Sequence, residues 1–216
     1  MKFDNYIFDF DGTIINSQKD VFLCFKRAFE AVDYKIDETR LNPDVIGPPL
    51  KEIIKLIAPE LKDDALINKI CDVFRNIYDN DPNDNTFIYD GVFEFLKTLK
   101  SENKKIFIAT FKPMVPTIML VKKLAIESFF DDIYGIDKFG EHITKEEMIL
   151  DIVSKYKLEK SKTVMIGDAA TDMLAGKKAG ISTIGVLWGY GSDKTDLIEN
   201  SDKVINSIKE LEEVKL

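Results

Sequence analysis

Asn5-Tyr6-Ile7-Phe8-Asp9-Phe10-Asp11-Gly12-Thr13 is the stretch on which the reading of this chain turns. An apolar run of strand length stops at two aspartates and a glycine, the pattern of a buried strand that runs into a turn. Asp9 and Asp11 are two residues apart, so both carboxylates leave the backbone on one side if the strand geometry persists as far as Asp11. Two carboxylates that close do not both ionise comfortably, and they call for a shared proton or a metal. Gly12 lets the chain turn sharply where a side chain would obstruct it.

Downstream of this strand the period changes. Val21, Phe22, Phe25, Ala28, Phe29 and Val32 recur at spacings of three and four, with Ser17 and Asp20 expected as a helix-start pair. Leu50, Ile53, Ile54 and Ile57, then Ile67, Ile70, Cys71, Phe74, Ile77 and Tyr78, repeat the pattern, which makes residues 16–85 an all-helical block. The polar stretch Asp79-Asn80-Asp81-Pro82-Asn83-Asp84-Asn85 is expected to be a flexible linker that closes it. Beyond it, apolar runs at Lys105 to Ala109, Asp132 to Gly135, Thr163 to Ile166, Thr183 to Val186 and around Val204 alternate with helical stretches near 91–101, 114–125, 144–157, 169–179 and 193–199. This alternation predicts an α/β fold: a Rossmann-like parallel sheet with helices on both faces, built from 1–15 and 86–216, with the helical block at 16–85 inserted into it.

The chain's 216 residues are 45% hydrophobic and 31% charged, enough to bury a core. Thirty Lys and Arg against 38 Asp and Glu give a net charge of -8, which repels a nucleic-acid polymer. No apolar run reaches the roughly 20 residues of a membrane-spanning helix, and the start runs into acidic residues, so the expectation is a cytoplasmic protein with no membrane partner. Nothing in the sequence speaks to oligomeric state. Cys24 and Cys71 fall on apolar-periodic stretches as small core residues, and neither begins a C-x5-R, because Glu30 and Ile77 occupy the arginine positions. His142 is the only histidine, which excludes a histidine-rich binuclear site, and there is no Walker-type glycine loop.

In open parallel sheets ligands bind beyond the carboxyl ends of the strands. Asp9 and Asp11 lie at such an end, Thr110 follows the second apolar run, Gly167-Asp168 end the fourth, and Lys145 begins the helix after the third. The third carboxylate, Asp168, completes an all-oxygen donor set that suits Mg²⁺. Taken singly, these residues read as turn aspartates, a helix-capping threonine and a solvated lysine.

As an ordered set they resemble the haloacid dehalogenase superfamily. Asp9-Phe10-Asp11-Gly12-Thr13 matches its D-x-D-G-T, Thr110 with Lys112-Pro113 its second motif, Lys145 its third, and Gly167-Asp168-Ala169-Ala170-Thr171-Asp172 its G-D-x-x-x-D. The block at 16–85 sits where the family inserts a helical C1-type cap, which would close over the sheet edge and select the substrate. The resemblance implies that Asp9 attacks phosphorus and carries an aspartyl-phosphate, and that Asp11 protonates the leaving alkoxide and then activates water. It also implies that Asp9, the backbone carbonyl of Asp11 and Asp168 hold Mg²⁺, with Asp172 anchoring metal-bound water. Thr110, with nearby N–H groups, and Lys145 would bind the phosphoryl oxygens.

Ile46-Gly47-Pro48-Pro49-Leu50, Ala109-Thr110-Phe111-Lys112-Pro113 and Gly185-Val186-Leu187-Trp188-Gly189-Tyr190-Gly191 are similar to the phosphoglycolate-phosphatase-like branch, which includes 5′-nucleotidases. Phe111 replaces a frequent serine and Ala169 a frequent arginine, a departure that bears on substrate contacts. The implied activity is a Mg²⁺-dependent phosphomonoesterase acting on a small phosphate ester, phosphoglycolate-like or a nucleoside 5′-monophosphate. A phosphosugar mutase of the same fold is the alternative, against which Thr13 argues, since mutases carry a larger apolar residue there. A non-catalytic phospho-aspartate receiver module is a further one, and its phosphorylated aspartate usually follows a later strand. Dehalogenase chemistry lacks the second aspartate that Asp11 supplies.

Overall fold

The strands, in chain order, are β1 (Asn5–Phe8), β2 (Ile15–Asn16), β3 (Phe87–Ile88), β4 (Lys105–Ala109), β5 (Asp132–Tyr134), β6 (Thr163–Gly167), β7 (Ser182–Val186) and β8 (Lys203–Ile205). The helices are α1 (Gln18–Glu30), α2 (Leu50–Ile57), α3 (Asp64–Asn80), α4 (Val92–Ser101), α5 (Met114–Lys123), α6 (Lys145–Lys155), α7 (Ala170–Ala179) and α8 (Thr195–Asn200). This computed structural model describes residues 3–140, 143–191 and 193–213; His142 lies outside them.

β1 pairs in parallel with β4 on one side and β6 on the other, and the sheet runs β5-β4-β1-β6-β7-β8 with every pairing parallel. The chain leaves β1 in one direction for β4 and later returns on the other side for β6, so the carboxyl end of β1 is the topological switch point of the sheet. Alternate side chains feed two apolar layers. Tyr6, Phe8, Ile106, Ile108, Val164 and Ile166 pack with Val92, Leu96 and Leu99 of α4 and Leu120 of α5. Ile7, Phe107 and Met165 face Met148, Ile149 and Ile152 of α6 and Met173 of α7. Both faces are covered because β1, β4 and β6 are apolar on every residue but the ends, the composition a doubly buried strand requires.

The described residues divide into two compact units: 3–16, 87–189 and 193–213 form the α/β unit, and 17–86 with Tyr190 and Gly191 form a helical one. The helical unit has its own core, in which Phe25, Phe29, Ile54, Ile57 and Ile70 are buried with both cysteines. Two local expectations need correction. The Ser17/Asp20 pair does not close a capping box: Ser17 is the N-cap of α1 without a side-chain cap bond. The Asp20 carboxylate instead accepts from the Asn85 backbone (3.1 Å) and side-chain amides (2.7 Å) and from the Thr86 hydroxyl (2.7 Å). The 79–85 stretch is likewise no loose linker. α3 continues through Asp79 and Asn80, and Asn83, buried in the left-handed region, donates to the carbonyls of Asp81 and Tyr78. Asparagine tolerates positive φ and bonds its own backbone locally, so a polar run became an ordered turn.

Candidate active site

The backbone leaves β1 at Asp9, whose N–H still donates to Ile166 of β6 (2.8 Å), and then turns tightly. The carbonyl of Phe10 accepts from Ile14 (2.9 Å) and Ile15 (3.1 Å), and Gly12 sits at a φ of 82°. Strand geometry therefore does not persist to Asp11, and the two carboxylates diverge to different lysines. Asp9 accepts from Lys145 Nζ at 2.8 Å, whereas both oxygens of Asp11 lie 3.3 Å from Lys112 Nζ.

Lys145 is placed by the start of α6. Thr144 is the N-cap, its hydroxyl accepting from the Glu147 N–H (3.2 Å) while the Glu147 carboxylate accepts from the Thr144 N–H (2.7 Å), a reciprocal pair that fixes the first turn. From that turn Lys145 reaches in, only 5% exposed, and bonds Asp172 as well as Asp9. Asp172 stands in the first turn of α7, and its other oxygen accepts from the Ala169 N–H (3.2 Å). Asp9, Asp168 and Asp172 bring carboxylate oxygens within 4.8 Å of one another, all three residues buried. Asp168 is confined by backbone on both sides, because a β-carbon on Gly12 or on Gly189 would meet its carboxylate, and Thr13 Oγ1 donates to it at 3.3 Å.

Burial pushes the Asp9 carboxyl up to about 7 against the opposing pull of Lys145, with Asp172 and then Asp11 adding to the rise. Burial works to lower Lys145, but Asp172 and Asp9 outweigh it and hold the ammonium above the usual lysine range. A cluster of three buried carboxylates around one lysine carries excess negative charge, and its hard oxygen donors fit a divalent cation such as Mg²⁺.

Thr110 is buried at the end of β4. Its N–H donates to Tyr134 of β5 (2.9 Å) and its hydroxyl accepts from the Lys112 N–H (3.1 Å). Two of the backbone donors near it are thus engaged, and it caps no helix, since α5 starts at Met114 after Pro113. The hydroxyl proton is left to donate. Phe111 lays its ring 4.9 Å from Lys145 Nζ. At the edge of the site Trp188 donates to the Thr13 carbonyl (3.2 Å), and its ring lies 6.4 Å from that of Tyr89. Burial, then the charges of Asp168 and Asp11, push the Tyr89 hydroxyl above its ordinary range.

The sequence alone assigns no role of its own to Lys112 or Tyr89. For Lys112 the available signal is its place two residues after Thr110, at a sheet edge otherwise crowded with carboxylates.

The haloacid dehalogenase-like hydrolase family model matches residues 6–186. The chain is similar to pyrophosphatase PpaX of Halalkalibacterium halodurans (28% identity, covering 98% of this chain and 96% of the relative). It is also similar to a 5′-nucleotidase of Pseudomonas aeruginosa (26%; 89% and 86%) and to a phosphoglycolate phosphatase of Vibrio parahaemolyticus (27%; 96% and 93%). Among solved structures, a predicted phosphatase from Clostridium acetobutylicum superposes with a TM-score of 0.84 at 26% identity, covering 99% of this chain and 98% of the other. With the family model spanning both the β1 turn and the Asp168 strand end, the chain belongs to the haloacid dehalogenase-like hydrolases.

Proposed function

We propose that this hydrolase is a Mg²⁺-dependent phosphatase that removes phosphate from a small phosphorylated metabolite through an aspartyl-phosphate on Asp9. The observation that carries the reading is Asp9 itself: a buried carboxylate at the switch point of the sheet, bonded to a buried lysine and clustered with Asp168. Asp9 attacks phosphorus with one oxygen while the Lys145 ammonium holds the other, which orients the nucleophile and offsets the negative charge it meets. Asp11 delivers a proton to the departing oxygen and then takes one from the water that opens the phosphoenzyme. The Thr110 hydroxyl, with its oxygen already accepting from Lys112, donates its proton to a phosphoryl oxygen.

Asp9, Asp168 and the carbonyl of Asp11 would hold the metal, and Asp172, both of whose oxygens are engaged by Lys145 and Ala169, supports the site from behind. Bound there, Mg²⁺ would supply charge neutralisation between the carboxylate and the phosphate. The relatives named as pyrophosphatase, 5′-nucleotidase and phosphoglycolate phosphatase support a small phosphorylated substrate.

Purified protein is expected to hydrolyse 4-nitrophenyl phosphate and one or more of phosphoglycolate, nucleoside 5′-monophosphates, sugar phosphates and pyrophosphate, with Mg²⁺ and not after chelation. Asp9→Asn should fall to background with the fold intact. Hydrolysis that survives chelation would remove the metal from the reaction, and activity retained in Asp9→Asn would remove the nucleophile.

A further inference from the structure

We propose that Trp188 and Gly189 are positioning residues for the metal centre: the segment after β7 sets the spacing between the β1 turn and the Asp168 carboxylate, and with it the preference of the site for Mg²⁺ over a larger cation. The proposal rests on the reading of Asp9, the Asp11 carbonyl and Asp168 as the groups that hold the metal. Those groups stand on two separate stretches of chain. β1 and β6 are paired as far as Phe8 and Ile166, and the Asp9 N–H adds one more bond, to the Ile166 carbonyl (2.8 Å). Asp11 and Asp168 lie beyond that bond, so the ladder leaves the distance between them to be set by something else.

The segment after β7 is placed to do it. β6 separates β7 from β1 in the sheet, yet the Trp188 indole N–H donates to the Thr13 carbonyl (3.2 Å). Residues 187–189 therefore cross the carboxyl end of β6, where Asp168 stands. The crossing closes a ring, because Thr13 accepts from Trp188 through its carbonyl and donates through its hydroxyl to Asp168 (3.3 Å). Gly189, next to Trp188, has no room for a β-carbon between the Asp168 side chain and the Gly12 carbonyl. Its φ is not among the positive ones, so space rather than backbone conformation calls for glycine there.

The segment is itself anchored. The Leu187 N–H donates to the Ile205 carbonyl of β8 (3.0 Å), and the Trp188 ring packs against the apolar layer beside Tyr89, whose N–H donates to the Ile14 carbonyl (3.0 Å). Asp168, hemmed in by Gly12 and Gly189, presents its oxygens at a fixed place relative to the turn. Fixed spacing discriminates between cations. Mg²⁺ needs a near-ideal octahedron of oxygens at roughly 2.0–2.1 Å, whereas Ca²⁺ accepts irregular shells at about 2.3–2.6 Å. Loosening or displacing the segment should therefore weaken Mg²⁺ binding far more than Ca²⁺ binding.

Isothermal titration calorimetry of the metal-free full chain with Mg²⁺ and, separately, with Ca²⁺ tests this in the wild type, Trp188→Phe and Gly189→Ala, with thermal melting by circular dichroism to show that each variant is folded. Partners that stand behind metal ligands are worth about 10- to 100-fold in metal affinity. Trp188→Phe, which keeps an aromatic side chain and removes the N–H, should raise the Mg²⁺ Kd by about the lower figure, and Gly189→Ala, which pushes Asp168 aside, by about the upper one. The Ca²⁺ Kd should change less than about threefold in both, the looser shell absorbing the displacement. Trp188→Phe decides the matter if Gly189→Ala does not fold. A Mg²⁺ Kd unchanged in Trp188→Phe, or Mg²⁺ and Ca²⁺ weakened by one factor, would mean that the segment serves the fold alone, whatever the melting midpoint does, and would overturn the proposal. Absence of Mg²⁺ binding by the wild type would overturn the metal reading and the proposal with it.

Discussion

Lys145 is buried between Asp9 and Asp172, so removing its charge leaves two carboxylates facing each other in a dry site. Breaking a buried ion pair by deleting one partner costs about 3–5 kcal/mol, and Lys145→Met in metal-free protein should lose stability in that range by urea unfolding. A loss below about 1 kcal/mol would mean that both carboxylates simply take up protons at no cost. The wild-type group sets the sign of the pH dependence. Its folded value is raised, so the stability it contributes while its carboxylate partners are ionised is present below the ordinary lysine range and is lost on the alkaline side as pH rises through the raised value. Asp9 is raised as well, to about 7, which means that metal binding must displace a proton near neutrality and that Mg²⁺ affinity should weaken as pH falls below 7. The residues of this site were legible because each stands at a strand end or a helix start, positions that a short motif marks. Their partners were not, since the Lys112–Asp11 contact spans 101 residues and follows from a turn that removes Asp11 from the strand.

At the scale of elements, Asp132 ties the edge of the sheet to the helix that carries Lys145. It begins β5 and accepts from Lys138 (2.7 Å), Lys155 at the end of α6 (2.8 Å), the Tyr156 hydroxyl (2.9 Å) and the Ile133 N–H (2.8 Å). Partial burial works to raise its carboxyl, but the two ammonium groups and the other donors outweigh it and hold the value down at about 2. A depressed carboxylate contributes stability above its ordinary range near pH 4 and loses it as pH falls toward 2. Discounted for solvent screening, Asp132→Asn should cost about 1–2 kcal/mol at pH 7 and little near pH 2, measured by urea unfolding followed through Trp188. An equal loss at both pH values would assign the effect to packing.

The elements themselves were largely readable. β4 covers the same residues as its apolar run, and β7 starts one residue earlier, at Ser182, because buried strands and amphipathic helices print their burial on the sequence as a period. β2 and β3, two residues each, are too short to carry a period. Asp20 could not be placed from neighbours, because what it binds lies 65 and 66 residues away.

For the molecule as a whole, the separation into two cores gives unfolding two independent reporters. Trp188, the only tryptophan, belongs to the α/β unit and is bonded to the Thr13 carbonyl beside Asp168. Both cysteines are buried thiols, outside any disulfide, in the core of the helical unit. A cation that binds only folded protein stabilises it by about 2.7 kcal/mol at a hundred times its Kd. For a chain of 150–250 residues each kcal/mol moves the midpoint by about 2–4 °C, so Mg²⁺ should raise the Trp188 fluorescence transition by roughly 5–10 °C. The ligands assigned to the metal all lie in the α/β unit, and exposure of Cys24 and Cys71 to a thiol reagent along the same thermal ramp should shift much less. Asp168→Asn should cancel the fluorescence shift without any assay of turnover. Equal shifts in both signals would show that the two cores unfold as one cooperative unit, and no shift in either would mean that the carboxylate cluster does not hold Mg²⁺ in the folded protein.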